Sequence, residues 1–210
     1  MTKVDPEHKI ASIEQLEAIY GEASPRAITK EIDYISEHYR AFIEAAPFAA
    51  IASVAEEGVD CSPRGDPTGE FVRVADSKTL MIPDRNGNNR VDTLRNIVRD
   101  GRCALMFLIP GVGEAMRVNG RAELSTEPAL LESFVIQGKL PRSVIVVHVE
   151  RVYFQCSKAL ARSRLWDPAI QIPRSALPTT GQMIAALSKD SFDADEYDRN
   201  YPAHMAKTIY

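Results

Sequence analysis

The sequence lacks long apolar runs, is poor in cysteine and shows no excess of positive charge, and each shortage removes a class of protein. Its apolar stretches fall far short of the roughly 20 residues that carry a helix across a bilayer. The opening Met-Thr-Lys-Val-Asp-Pro-Glu-His-Lys has no apolar core of a signal peptide. No membrane association is expected, and a cytoplasmic location is. The three cysteines, at 61, 103 and 156, form no Cys-x-x-Cys pair, which leaves neither a disulfide framework nor a zinc site. Among the four histidines, His8, His38 and His204 have no metal-site spacing and His148 sits in the apolar run Val144 to Val149, so no metal centre is expected. Lys and Arg number 25 against 29 Asp and Glu, mixed along the chain with no basic arm, which argues against a nucleic-acid partner.

What is present suits one folded unit. A chain of 210 residues with 45% hydrophobic content can bury one substantial core with helices to spare. Residues 12 to 45 read as a pair of helices, with Ser12 and Gln15 as a capping box and Ile28, Ile32, Ile35, Tyr39 and Phe42 at helical spacing. From Pro47 the pattern changes to short apolar runs, Phe48 to Val54, Phe71 to Val74 and Leu80 to Ile82, broken by glycine and proline as in a strand meander.

A helix is predicted over Arg90 to Arg99, with Val91, Leu94, Ile97 and Val98 on one face and Gly101 as its C-terminal cap. Strands are predicted over Cys103 to Ile109, Ala115 to Leu124 and Ser143 to Phe154, with a short helix near Pro128 to Val135 and a closing helix over Gly181 to Leu187. The stretch Pro168 to Pro178 reads as an ordered crossing segment or a loop. Alternating βα units are absent, so many short strands with few helices favour a small barrel over a doubly wound sheet.

One stretch carries most of the chemistry. In Ile82-Pro-Asp-Arg-Asn-Gly-Asn-Asn-Arg-Val-Asp-Thr-Leu-Arg-Asn-Ile97 a strand ends, a glycine turn follows and a helix opens near Asn89. A helix start offers unpaired N–H groups and a positive dipole end to an anion. Arg85 and Arg90 flank it with forked, permanent charges, while Asn88, Asn89 and Thr93 add neutral donors. These residues suit a phosphate cradle. Arginines decorating a solvated helix face, with an ordinary asparagine cap, would look the same on these residues alone.

From about Phe48 to Phe154, and less closely to Trp166, the chain resembles the pyridoxamine 5′-phosphate oxidase-like family of split barrels that bind flavin mononucleotide (FMN). Three motifs in order carry the resemblance: Ser62-Pro-Arg-Gly-Asp, Gly87-Asn-Asn-Arg-x-Asp-Thr-Leu and Arg117-Val-Asn-Gly-Arg-Ala. It implies a mainly β fold with flanking helices, an FMN-binding split β-barrel. It further implies that Asn88, Asn89 and Arg90 stand where the family's Ser-Arg-Lys sequence grips the FMN phosphate. Pro83 and Asp84 stand where its main chain lines the flavin, and Arg64 stands at a phosphate or ring contact. Ala115 replaces a glutamine that hydrogen-bonds the flavin in many members, so that contact is expected to be missing. The segment Gln155 to Pro168 would close over the flavin from a second subunit, with Lys158 and Arg164 as candidate cations and Trp166 as candidate aromatic.

The resemblance is to a branch other than the vitamin B6 enzyme itself, since nothing between Trp166 and Tyr210 matches the Arg-Leu-His-Asp-Arg-like motif that holds its substrate. Residues 1–46 are thus expected to form an N-terminal helical extension, 47–168 the split barrel and 169–210 a C-terminal extension, all in one structural domain. The expected assembly is a homodimer with flavin at the subunit interface. The expected activity is an oxidoreductase acting on a small substrate, with a nicotinamide donor as one candidate, and no catalytic acid–base pair stands out. A non-catalytic flavin-binding or redox-sensing protein is the alternative, and a haem-binding relative using His148 the weakest reading.

Overall fold

The computed structural model describes residues 4–210; Met1, Thr2 and Lys3, which open the expected N-terminal extension, lie outside the described residues. Three helices lead the chain: α1 Ile13–Tyr20, α2 Pro25–Thr29 and α3 Glu37–Ala45. Three replace the expected pair because Gly21, at φ +67, ends the first turn run and Pro25 restarts it. The Ser12 hydroxyl accepts from the Gln15 N–H at 3.3 Å, but Gln15 takes the N–H of Ala11 rather than that of Ser12, so only half of the expected capping box forms.

Seven strands follow the helices. In chain order they are β1 Phe48–Ala55, β2 Gly58–Gly65, β3 Arg73–Asp76, β4 Thr79–Asp84, then helix α4 Asp92–Arg99, β5 Arg102–Leu108, β6 Ala115–Ser125, helix α5 Pro128–Glu132 and β7 Ser143–Gln155. All pair antiparallel in the order β2-β1-β5-β6-β7-β4-β3, the mainly β, helix-flanked architecture expected of a split barrel. Alanine is the best helix former, yet Phe-Ala-Ala-Ile-Ala-Ser-Val-Ala runs as β1. Its alternation decides the matter, with Ala49, Ile51 and Ser53 buried inward and Ala50, Ala52 and Val54 facing out.

Inside, Ile43, Ile51, Leu80, Ile82, Leu105, Phe107, Val118, Ile145 and Val147 are fully buried. Each contributes about 1.5–3 kcal/mol of transfer free energy by leaving water. Helix α4 packs on β1, β2 and β6. Its buried residues are Thr93, Asn96 and Ile97, whereas Val91 and Val98 are exposed, contrary to the apolar face expected of them. Asn96 is held inside because its side-chain amide donates to Ser53 Oγ at 3.2 Å, so the buried polar pair satisfies itself. Gly101, at φ +83, sits just past the helix as expected, and its carbonyl accepts the Ala122 N–H at 2.7 Å.

Beyond the sheet lie α6 Lys158–Ser163, α7 Thr180–Leu187 and α8 Ala194–Thr208, with two 3-10 turns inside the proline-rich crossing. Helix α8 has no counterpart in the expected elements, because Pro202 lies within it. It folds back on α7 through Gly181, whose N–H donates to Asp198 Oδ1 at 2.9 Å. A Cβ at Gly181 would stand 2.4 Å from the Ala194 carbonyl oxygen, which is why glycine occupies the crossing. This return places Ile209 and Tyr210 against the turn after β4.

Candidate functional site

A cleft of about 830 Å³ opens where β2, the end of β4, the turn after it and the start of α4 meet, within the size range of small-molecule sites. Arg64, Pro83, Asp84, Arg85, Asn88, Asn89, Arg90 and Thr93 all line it. Eight of the eleven candidate residues read from the sequence thus converge on one cavity, although Arg64 comes from a different strand pair than the rest. Sheet pairing explains the convergence: β4 lies on β7, while β2 and β1 bring Arg64 across beneath α4.

The turn is held in unusual backbone. Asn89 at φ +60 and Val91 at φ +50 both sit in the left-handed region, tolerable for asparagine but costly for a β-branched residue, roughly 1–3 kcal/mol. Helix α4 therefore opens at Asp92, later than the expected start near Asn89, and has no side-chain cap. Its first-turn N–H groups are left without side-chain partners where Asp92 and Thr93 line the cleft.

Three of the four arginines that line the cleft have carboxylate partners. Arg64 Nη2 stands 3.7 Å from Asp84 Oδ1, Arg85 Nε is 2.8 Å from Asp66 Oδ2, and Arg90 pairs with Asp92. Burial raises the pKa of Asp66 above the ordinary carboxylate value, with Arg85 pulling the other way. The same holds for Asp84, where burial outweighs the pull of Arg64 and Arg142. Arg85 also donates to the Phe134 carbonyl at 2.6 Å and lies 5.7 Å from the centre of the Tyr210 ring.

Even so, Arg64 Nε and Arg85 Nη2 are buried and find no acceptor among the described residues. A buried donor left unpaired costs about 1–3 kcal/mol, but what the cleft offers an anion is the accessible part of Arg64, Arg85, Arg90 and Arg142 and the uncapped first turn of α4. The residues present therefore fit a phosphate. Thr93 plays a different part from the one expected of it. It is buried, and its hydroxyl hydrogen goes to Asp60 while its oxygen meets Ser62, so it fixes the helix start to β2 instead of presenting a free donor. Arg90 is mostly exposed, with its side chain 80% accessible, at the rim.

Lys158, Arg164 and Trp166 do not line this cleft within one chain. Trp166 is half-buried and donates its indole N–H to the Val112 carbonyl at 2.8 Å. Arg164, in the left-handed region, pairs with Asp167, and Lys158 is exposed at the first residue of α6. His148 is exposed on β7 and contacts Glu123 Oε1 at 2.9 Å, outside the cleft. Among the described residues no cluster of potential metal ligands forms and no helix is long and apolar enough to cross a membrane.

Asp60, Asp66 and Arg142 are among the lining residues that were not candidates in the sequence reading. Asp66 lay inside the quoted Ser-Pro-Arg-Gly-Asp motif, but nothing local paired it with Arg85, 19 positions on. Arg142 is separated from Asn89 by 53 positions, and only the β4–β7 register brings the two together.

A family model described as pyridoxamine 5′-phosphate oxidase matches residues 35–156, the stretch that holds the sheet and most of the cleft. No curated protein matches the chain. Among solved structures, HupZ from Group A Streptococcus is 24% identical, covering 59% of this chain and 95% of its own, with a TM-score of 0.47. General Stress Protein 26 from Bacillus anthracis is 11% identical over 54% of this chain and 88% of its own, at 0.43. The FAD binding protein from Mycobacterium smegmatis is 12% identical over 58% and 95%, at 0.40. These structural likenesses are too distant to carry an argument about function.

Proposed function

We propose, since the chain belongs to the pyridoxamine 5′-phosphate oxidase family, that its cleft holds FMN and that the protein is an FMN-dependent oxidoreductase working as a homodimer. The observation that carries this reading is the convergence of Arg64, Arg85, Arg90 and Arg142 on one cleft where an uncapped helix begins. A phosphate monoester suits both this group of cations and the helix start. Arg64, Arg85, Asn88 and Asn89 would hold the phosphate end, and Pro83 and Asp84 would line the ring.

Bound flavin would supply hydride or electron transfer, for which the protein need only give orientation and electrostatics. That agrees with the lack of an acid–base dyad among the lining residues. The substrate is read as a small molecule stacked on the exposed flavin face, with a nicotinamide as the candidate donor.

The dimer has its own support. On the outer face of the sheet, Pro63, Ala50 and Met106 lie side by side across β2, β1 and β5, and Ala52 and Ala104 form the next row. Small and apolar side chains on a flat face, next to the unpaired edge of β2, suit a second copy of the same surface. Such a partner would bring its own Lys158, Arg164 and Trp166 toward the flavin ring.

Equilibrium dialysis of the full chain against FMN tests binding, and steady-state turnover with NADH or NADPH and an electron acceptor tests catalysis. Binding without turnover would leave a non-catalytic flavin protein in place of the oxidoreductase. Absence of both would remove the reading altogether.

A further inference from the structure

We infer that Arg142, at the start of β7, is the principal charge partner of the ligand's phosphate. The inference rests on the flavin reading above and relocates the phosphate within that cleft. Four arginines line the cavity: 64, 85, 90 and 142. Three have a carboxylate within 4.0 Å, whereas Arg142, among the described residues, has none. Its guanidinium donates instead to the side-chain oxygens of Asn89 and Asn86, the latter at 3.1 Å, and both are neutral amides. Among the described residues Arg142 is thus the one guanidinium of the cleft with no carboxylate in direct contact, Asp84 acting on it only from farther off, and it is the one most open to a dianion.

The surroundings point the same way. Arg142 stands where the cleft joins a smaller lobe of about 240 Å³ whose lining holds no aspartate or glutamate and to which Arg85 and Lys139 also contribute, Lys139 Nζ donating to the Tyr210 main-chain oxygen at 2.6 Å. Arg85 is shared by both cavities. A phosphate set between Arg142 and Arg85 would lie between two guanidinium groups. At Arg90 it would instead meet a solvent-exposed side chain already paired with Asp92, where screening leaves little to gain.

The backbone holds Arg142 in place independently of any ligand. Its N–H donates to the Asp84 carbonyl at 3.0 Å, extending the β4–β7 ladder by one step, and through Asn86 and Asn89 its side chain braces both halves of the turn. The arginine thus arrives oriented, which lowers the entropy cost of binding.

The test compares FMN with riboflavin, which lacks the phosphate, on the full chain freed of bound flavin. Binding is followed by quenching of flavin fluorescence in wild type, Arg142→Gln, Arg142→Lys and Arg90→Gln. Loss of a charge-assisted contact in Arg142→Gln should weaken FMN about tenfold or more and leave riboflavin unchanged. Arg142→Lys should recover part of the loss, and Arg90→Gln should cost less than about fivefold. If Arg142→Gln loses FMN and riboflavin alike, the residue only shapes the turn and the inference fails. It fails too if Arg142→Gln leaves FMN affinity intact, or if wild type binds the two flavins equally. Should wild type bind neither flavin, the flavin reading itself fails and the inference falls with it. Matching thermal unfolding midpoints confirm that each variant is folded.

Discussion

The hydroxyl oxygens of Ser62 and Thr93 lie 2.7 Å apart, joining β2 to the first turn of α4 at the floor of the cleft. The direction of the bond follows from its neighbours. Thr93 gives its single hydroxyl hydrogen to Asp60, so Ser62 must donate to Thr93, and Arg64 Nη1 in turn donates to Ser62 Oγ at 3.0 Å. Arg64, Ser62, Thr93 and Asp60 form one chain of donors that fixes the position of Arg64 relative to the helix start.

Thr93→Val keeps the shape of the side chain but leaves Ser62 and Asp60 without their partner. Because the position is buried, the expected loss of stability is about 1–3 kcal/mol. Urea unfolding of the two proteins side by side measures it, and a change below a few tenths of a kcal/mol would mean that the chain of donors contributes little.

Gly120 sits at the bulge where β6 shifts register against β7, and a Cβ there would stand 2.1 Å from the His148 carbonyl oxygen. Gly120→Ala therefore forces the two longest strands apart. A cost of roughly 1–3 kcal/mol is expected, visible as a lower thermal midpoint, and an unchanged midpoint would show that the bulge relaxes freely.

How far the sequence revealed this site depended on chain separation. The turn from Arg85 to Thr93 could be read directly because its arginines, asparagines and helix start are contiguous. Strand β2 was harder, since Asp60, Ser62, Pro63 and Arg64 show no apolar alternation, and it falls between the apolar runs read as strands. Val98 was assigned to the packed face from spacing alone, but α4 rests on the sheet through Thr93 and Asn96, polar residues that no periodicity of apolar residues would select. Pairings such as Arg85 with Asp66, and the arrival of Arg142, depend on strand register, and α8 was hidden by Pro202.

Burial holds the pKa of Asp84 above its ordinary value of 3.8 despite Arg64 and Arg142. A carboxyl with a raised folded-state pKa stabilises the fold fully below pH 3.8, and that contribution is lost as pH rises through the raised value. Asp84→Asn removes this dependence. Its stability relative to wild type should therefore rise as pH increases above 3.8 and level off once the raised folded-state value is passed, as followed by denaturant unfolding across the acid range. A constant difference would show that Asp84 titrates normally.

Met106 is exposed at the β5 end of the apolar outer row, beside Arg117 of β6. Met106→Glu should leave the monomer folded and convert the dimer to monomer, because a charge facing its own copy across a two-fold interface is repelled. Light scattering after size exclusion reads the mass. A wild-type monomer, or a variant that stays dimeric, would contradict the proposed interface.

The most direct test of the central claim is the absorbance spectrum of the freshly purified protein, recorded before and after adding FMN, with any released chromophore identified by mass. The account predicts flavin bands shifted from those of free FMN and a released mass equal to FMN. A colourless protein that leaves the spectrum of added FMN unaltered would contradict it.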